Sequence, residues 1–133
     1  MKFFFCKILF LLILPFFVPD RVSGQFIDSV KNYIELLEIK HPEIVLRQAV
    51  LETGWFKSRF LMSKNNLFGF TIKKRYSRFS NWKSSVEYYK KWQDEHYTNP
   101  RENYYHFLAR IKYARSPNYI ATLKKIHFKK SVP

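Results

Sequence analysis

A helix that must stop at a defined place constrains this chain more than any other feature. Ile44, Leu46, Ala49, Val50 and Thr53 recur at helical spacing. Pro42 suits the first turn of that helix, and Gly54 is the residue type that closes one in a left-handed cap. The spacing predicts a helix from Pro42 to about Thr53, with Glu52 in its last turn. There the exposed carbonyls carry the negative end of the helix dipole, which disfavours an ionised carboxylate by about 0.3–1 kcal/mol. Trp55 and Phe56 follow directly and can shield the same spot from water. Both effects favour the protonated form of a carboxyl group, the form a general acid must hold near neutrality. The plainer alternative is an exposed acidic residue at a helix end.

The stretch Gln48-Ala49-Val50-Leu51-Glu52-Thr53-Gly54-Trp55, followed by Asn65-Asn66-Leu67-Phe68-Gly69, resembles the bacterial glucosaminidase-type peptidoglycan hydrolases (glycoside hydrolase family 73). Their motif is Ala-x-Leu-Glu-(Ser/Thr)-Gly-Trp and then Asn-Asn-Leu-Phe-Gly. The resemblance continues to Tyr113-Ala114 and Tyr119 and so covers nearly all of the chain after residue 42. It implies an α+β, mostly helical, lysozyme-like domain with a reduced β-lobe. It also implies Glu52 as the catalytic acid, Tyr113 beside it in the catalytic site, and Asn66, Phe68, Trp55 and Tyr119 as substrate-binding residues, with packing behind Glu52 the stronger reading of Trp55. The implied activity is endo-beta-N-acetylglucosaminidase cleavage of peptidoglycan glycan strands.

Residues 1–24 read as a secretory signal peptide. Lys2 gives a short basic start, Ile8 to Val18 is apolar, and Val22-Ser23-Gly24 offers small residues before Gln25. Lys7, Pro15 and Pro19 punctuate the run, which argues against a membrane span, although an uncleaved anchor is the competing reading. Export to the periplasm or the cell exterior is the expectation, with membrane contact only through this segment. Cys6, the only cysteine, lies inside it, so a mature chain would have neither disulfide nor thiol nucleophile.

Residues 25–133 have the length of one small domain, expected to be a monomer. The chain holds 24 Lys+Arg and 10 Asp+Glu; without residues 1–24 this becomes 21 against 9, a net charge of +12. Such a surface seeks polyanions, and peptidoglycan with its stem-peptide carboxylates qualifies, as do nucleic acid and acidic lipid. His41, His96, His106 and His127 show no metal-site spacing, and no phosphate-binding glycine loop occurs, so no metal or cofactor is expected.

Phe26, Val30, Tyr33, Ile34 and Leu37 predict an amphipathic helix ending before His41-Pro42. A short helical piece is expected over 58–64, and residues 68–72 and 76–79 can pair as a hairpin around Lys73-Lys74-Arg75. Ser84-Ser85-Val86-Glu87 reads as a capping box opening a helix to Tyr97. Asn99-Pro100 predicts another helix start, with Tyr104, Phe107, Leu108 and Ile111 inward. Ser116-Pro117 predicts a last one, carrying Tyr119, Ile120, Leu123 and Ile126 inward.

Glycosidic cleavage normally uses two carboxyl groups. Many relatives carry an acidic residue after the Asn-Leu-Phe-Gly motif, yet residues 70–83 contain none, and Glu87 is the first candidate. Its capping role is the stronger reading. The remaining routes are the substrate's own acetamido group, or a water held by hydroxyls and amides. Three other functions compete: a noncatalytic wall-binding module, a muramidase, and a nucleic-acid binder using the basic aromatic run from Arg75 to Lys83. The export segment argues against the last.

Overall fold

The computed structural model describes residues 21–129. The predicted export segment therefore lies almost wholly outside the described residues, as do residues 130–133. Among the described residues six helices and one two-stranded hairpin make a mostly helical α+β fold with a reduced β-lobe: α1 (Arg21–Leu36), α2 (Pro42–Thr53), α3 (Arg59–Ser63), β1 (Thr71–Ile72), β2 (Arg75–Tyr76), α4 (Trp82–His96), α5 (Tyr104–Arg110) and α6 (Tyr119–Lys124). Among the described residues no helix is long and apolar enough to cross a membrane.

The predicted helix boundaries hold where one residue type dictates the backbone. Helix α2 runs from Pro42 to Thr53, and Gly54 closes it at φ 56, its N–H reaching back to the carbonyls of Val50 and Leu51. Ser58 caps α3 by accepting from the Leu61 N–H. The hairpin is shorter than the alternation suggests. Thr71 pairs with Tyr76 and Ile72 with Arg75, leaving a two-residue turn of Lys73 and Lys74, both left-handed (φ 49 and 64).

Three helix starts differ from the sequence expectation. Helix α4 begins at Trp82 because Asn81 is the cap, its side chain accepting from the Ser84 N–H. Ser84 is therefore inside the helix and Glu87 caps nothing; Glu87 is exposed and accepts a hydrogen bond from the Tyr33 hydroxyl on α1 (2.6 Å). Asn99 to Glu102 form a turn, with the Arg101 N–H on the Asn99 side chain and the Glu102 N–H on the Asn99 carbonyl. Helix α5 starts at Tyr104, where the Asn103 side chain accepts from the Tyr105 and His106 N–H groups. Likewise α6 begins at Tyr119, two residues past Pro117, after a turn in which Ser116 accepts from the Asn118 N–H.

The core is aromatic. Tyr89, Tyr104, Tyr113, Phe68, Phe70 and Phe107 are its largest fully buried side chains, joined by Val30, Ile34, Val45, Ala49 and Leu123. Phe68 lies 4.5 Å from Tyr89, and Trp92 packs on Tyr89, Phe107 and Tyr113 at 5.2–5.8 Å between ring centres. Burying rings that carry hydroxyls obliges each hydroxyl to find a partner, and those partners lead to the site.

Candidate active site

Glu52 is half-buried in the last turn of α2. Directly after it the chain makes an uncommon turn. Gly54, Trp55 and Phe56 are all left-handed (φ 56, 60 and 61), a conformation that costs bulky residues roughly 1–2 kcal/mol each. Thr53 sustains it: its hydroxyl donates to the Ala49 carbonyl (2.7 Å) and accepts from the Phe56 N–H (2.9 Å), while its own carbonyl takes the Lys57 and Ser58 N–H groups. Backbone strain held by surrounding bonds at such a position is typical of functional sites.

The structure brings Glu52, Tyr119 and Tyr113 together. Tyr119 on α6 is buried, close enough to the Glu52 carboxylate to feel its charge. Its hydroxyl accepts from the Gln48 amide (3.3 Å), one helical turn before Glu52. Burial, and after it the Glu52 charge, hold the hydroxyls of both tyrosines well above the ordinary phenol range, so each keeps its proton and donates. Tyr113 is fully buried and donates to the Phe68 carbonyl (2.9 Å), while its ring stacks on Tyr119 (5.8 Å between centres). It thereby ties the Asn-Asn-Leu-Phe-Gly loop to the neighbourhood of the glutamate.

Asn66 and Phe68, expected at the substrate, are both fully buried. The Asn66 amide clasps the base of the hairpin: Nδ2 donates to the carbonyls of Phe70 and Ser77 (both 2.9 Å), and Oδ1 accepts from the Phe70 N–H (3.0 Å). Phe68 is a core ring against Phe70 and Tyr89. Trp55 is half-buried, edge-on to Phe128 (6.1 Å), and lines a recess of about 340 Å³ between α2 and α6 with Val50, Leu51, Thr122, Lys125, Ile126 and His127. Among the described residues no three His, Cys, Asp or Glu side chains gather as metal ligands do.

Gln48, Tyr89, Tyr104 and Gln93 are functional candidates that periodicity treats only as core or as motif. The Gln48 carbonyl accepts from the Tyr89 hydroxyl, which also meets Tyr104, and Gln93 donates to Tyr104 (3.0 Å). One sequence signal pointed there: Gln48 precedes Glu52 by four residues and so shares its helix face.

Exposed groups surround this buried core on the β-lobe. From Thr53 to Val86 there is no Asp or Glu, against eight Lys and Arg. Lys73, Lys74, Arg75 and Arg78 are exposed, beside the exposed Phe60 and Ile72. Phe60 lies edge-to-face with Tyr76 (5.3 Å), and Lys64 sits over its ring.

The model of the family described as mannosyl-glycoprotein endo-beta-N-acetylglucosaminidase (Glucosaminidase) matches residues 28–130. No curated protein and no solved structure matches the chain.

Proposed function

Because the chain belongs to the glucosaminidase family, whose members are glycosidases of peptidoglycan-type glycans, we propose that it is an exported endo-beta-N-acetylglucosaminidase acting on peptidoglycan, with Glu52 as the general acid. The observation that carries the reading is Glu52 itself: the motif carboxylate, at a helix C-terminus, half-buried, with Tyr119 nearby. Its proton passes to the glycosidic oxygen as the bond from that oxygen to the anomeric carbon breaks, and the bonding pair stays on the leaving oxygen.

The opposite face of the sugar needs an electron donor. The β-lobe has no carboxylate to offer, and Glu87 is engaged by Tyr33. The carbonyl oxygen of the substrate's own 2-acetamido group fills that role, closing on the anomeric carbon before water opens the ring so formed. The acid-free cationic lobe complements the carboxylates of stem peptides, which a neutral glycan would lack.

The test is turnover of purified peptidoglycan by Glu52→Gln and Glu87→Gln variants, with the products reduced by borohydride and their sugars identified. Glu52→Gln should lose at least about 10²–10⁴-fold in turnover while still binding glycan. Glu87→Gln should stay close to the parent enzyme. Glucosaminitol is the expected reduced end. Muramitol would identify a muramidase, and an absence of new reducing ends in the parent protein would leave a glycan-binding module.

A further inference from the structure

We infer that the recess between α2 and α6 is a subsite for the peptide arm of the substrate: small apolar side chains of that arm lie on its walls, and a free carboxylate of the arm meets Lys125 and His127. The inference rests on the reading of the chain as a peptidoglycan hydrolase. The walls are Val50 and Leu51 on α2, Trp55 in the turn after it, and Ile126 just past α6. At about 340 Å³ the recess is at the small end of ligand pockets, which run from about 300 to 1,000 Å³. That is room for a few small side chains, not for a length of glycan.

The strained turn after Glu52 gives the recess its aromatic wall. Trp55 is left-handed at φ 60, and its N–H donates to the Val50 carbonyl (2.8 Å). Its ring meets Phe128 edge-on, which ties the turn to the segment after α6. Leu51 immediately precedes Glu52 and Trp55 follows it by three residues, so the recess lies within one helical turn of the candidate acid. A peptide held there belongs to a sugar close to the scissile bond.

What the recess offers a ligand is apolar surface and positive charge. Lys125 and His127 are exposed at it, and the one hydroxyl among its lining residues, that of Thr122, donates to the Asn118 carbonyl (2.9 Å). No ion pair among the described residues involves Lys125, whereas its neighbour Lys124 lies over the Tyr105 ring (5.0 Å). Residues 103–133 contain no Asp or Glu against seven Lys and Arg, so no acid of this stretch competes for Lys125. Sugar hydroxyls need acceptors as well as donors, and the recess has neither a carboxylate nor a side-chain amide to supply them. A carboxylate only accepts, and Lys125 and His127 can donate to it. A peptide of small apolar residues with free carboxylates, such as a stem peptide, matches both the walls and the charge, and a neutral glycan matches neither.

Two measurements on the full-length protein test the subsite. In proton–nitrogen NMR the Trp55 indole N–H is the signal that Trp55→Phe removes, and the soluble peptide released from purified peptidoglycan should shift it together with the Ile126 amide. Binding should weaken with added salt. It should also fall about threefold or more when the peptide's carboxylates are amidated, and again in Lys125→Glu, which alters an exposed side chain. In turnover the parent protein should prefer peptide-bearing glycan to glycan stripped of its peptides, through KM, and Lys125→Glu should cut that preference by a similar factor. An unmoved Trp55 signal would overturn the subsite, and so would equal binding of the amidated peptide. The same shifts from a neutral N-acetylglucosamine tetramer at lower concentration would overturn it too, by making the recess a sugar site. If the signals move as expected while the parent cleaves neither glycan, the peptide site stands and the hydrolase reading fails. If both glycans are cleaved alike and no signal moves, the hydrolase reading stands and the peptide site falls.

Discussion

Asn66→Ala should cost the domain about 3 kcal/mol, a magnitude that follows from which backbone groups the amide satisfies. The side chain is fully buried and makes three bonds, to the Phe70 carbonyl, the Ser77 carbonyl and the Phe70 N–H. The Phe70 carbonyl keeps a second donor in the Ser77 N–H (2.9 Å), so it is not orphaned. The Phe70 N–H and the Ser77 carbonyl each lose the bond that the amide supplies. Two such backbone bonds at about 1–3 kcal/mol each, with some relief from entering water, bring the loss near 3 kcal/mol. In a domain of this size that is a fall in melting temperature of roughly 10–20 °C. Thermal melting and hydrogen exchange at the Phe70 amide measure it, and the exchange should accelerate before the helices open. Asn66→Asp separates donor loss from volume loss. Its carboxylate keeps the Phe70 N–H but faces two carbonyls, so it should be more damaging at pH 7 than at a pH low enough to protonate it. A loss below about 1 kcal/mol for Asn66→Ala would refute the clasp argument.

His41 supplies a pH dependence. Burial, and then the charge of Lys40, lower the pKa of its imidazole, which bonds the Tyr97 hydroxyl (3.0 Å) and stacks on Tyr104 (4.8 Å). The fold therefore prefers the neutral ring: this stability is fully present above the unfolded value of about 6.5 and is lost as pH falls from there through the lower folded value. Asn tolerates the left-handed φ of 54 at this position, so His41→Asn should flatten the decline in melting temperature below pH 6.5; an unchanged slope would count against the assignment. At the hairpin, two lysines occupy left-handed turn positions that suit Asn-Gly. The pair Lys73→Asn with Lys74→Gly should stabilise the protein by about 1 kcal/mol, read as a higher melting temperature, and no gain would mean the turn is not strained.

What could be read without a structure was whatever a single residue dictates to its neighbours. Gly54 ends α2 because only its backbone takes the left-handed cap without a side-chain penalty, and Pro42 begins that helix because it needs no donor there. Those two residues already placed Glu52 in a last helical turn, and the paired motifs already named the family that residues 28–130 match. Where two local signals compete, neighbours alone could not choose. Asn81 and Ser84 are both fit to cap α4, and the one that wins is the one whose side chain the folded chain leaves beside a free N–H. The same limit applies to Asn99-Pro100, a good helix start that became a turn once Tyr97 and Arg110 engaged Glu102. The site shows it most fully. Lys40, Gln93, Tyr104, Tyr89, Gln48 and Tyr119 come from four helices and the loop between α1 and α2, and hydrogen-bond one another in series. Periodicity marks these tyrosines and glutamines as inward-facing, but a buried hydroxyl's partner is set by what packs against it, and that only the tertiary structure decides.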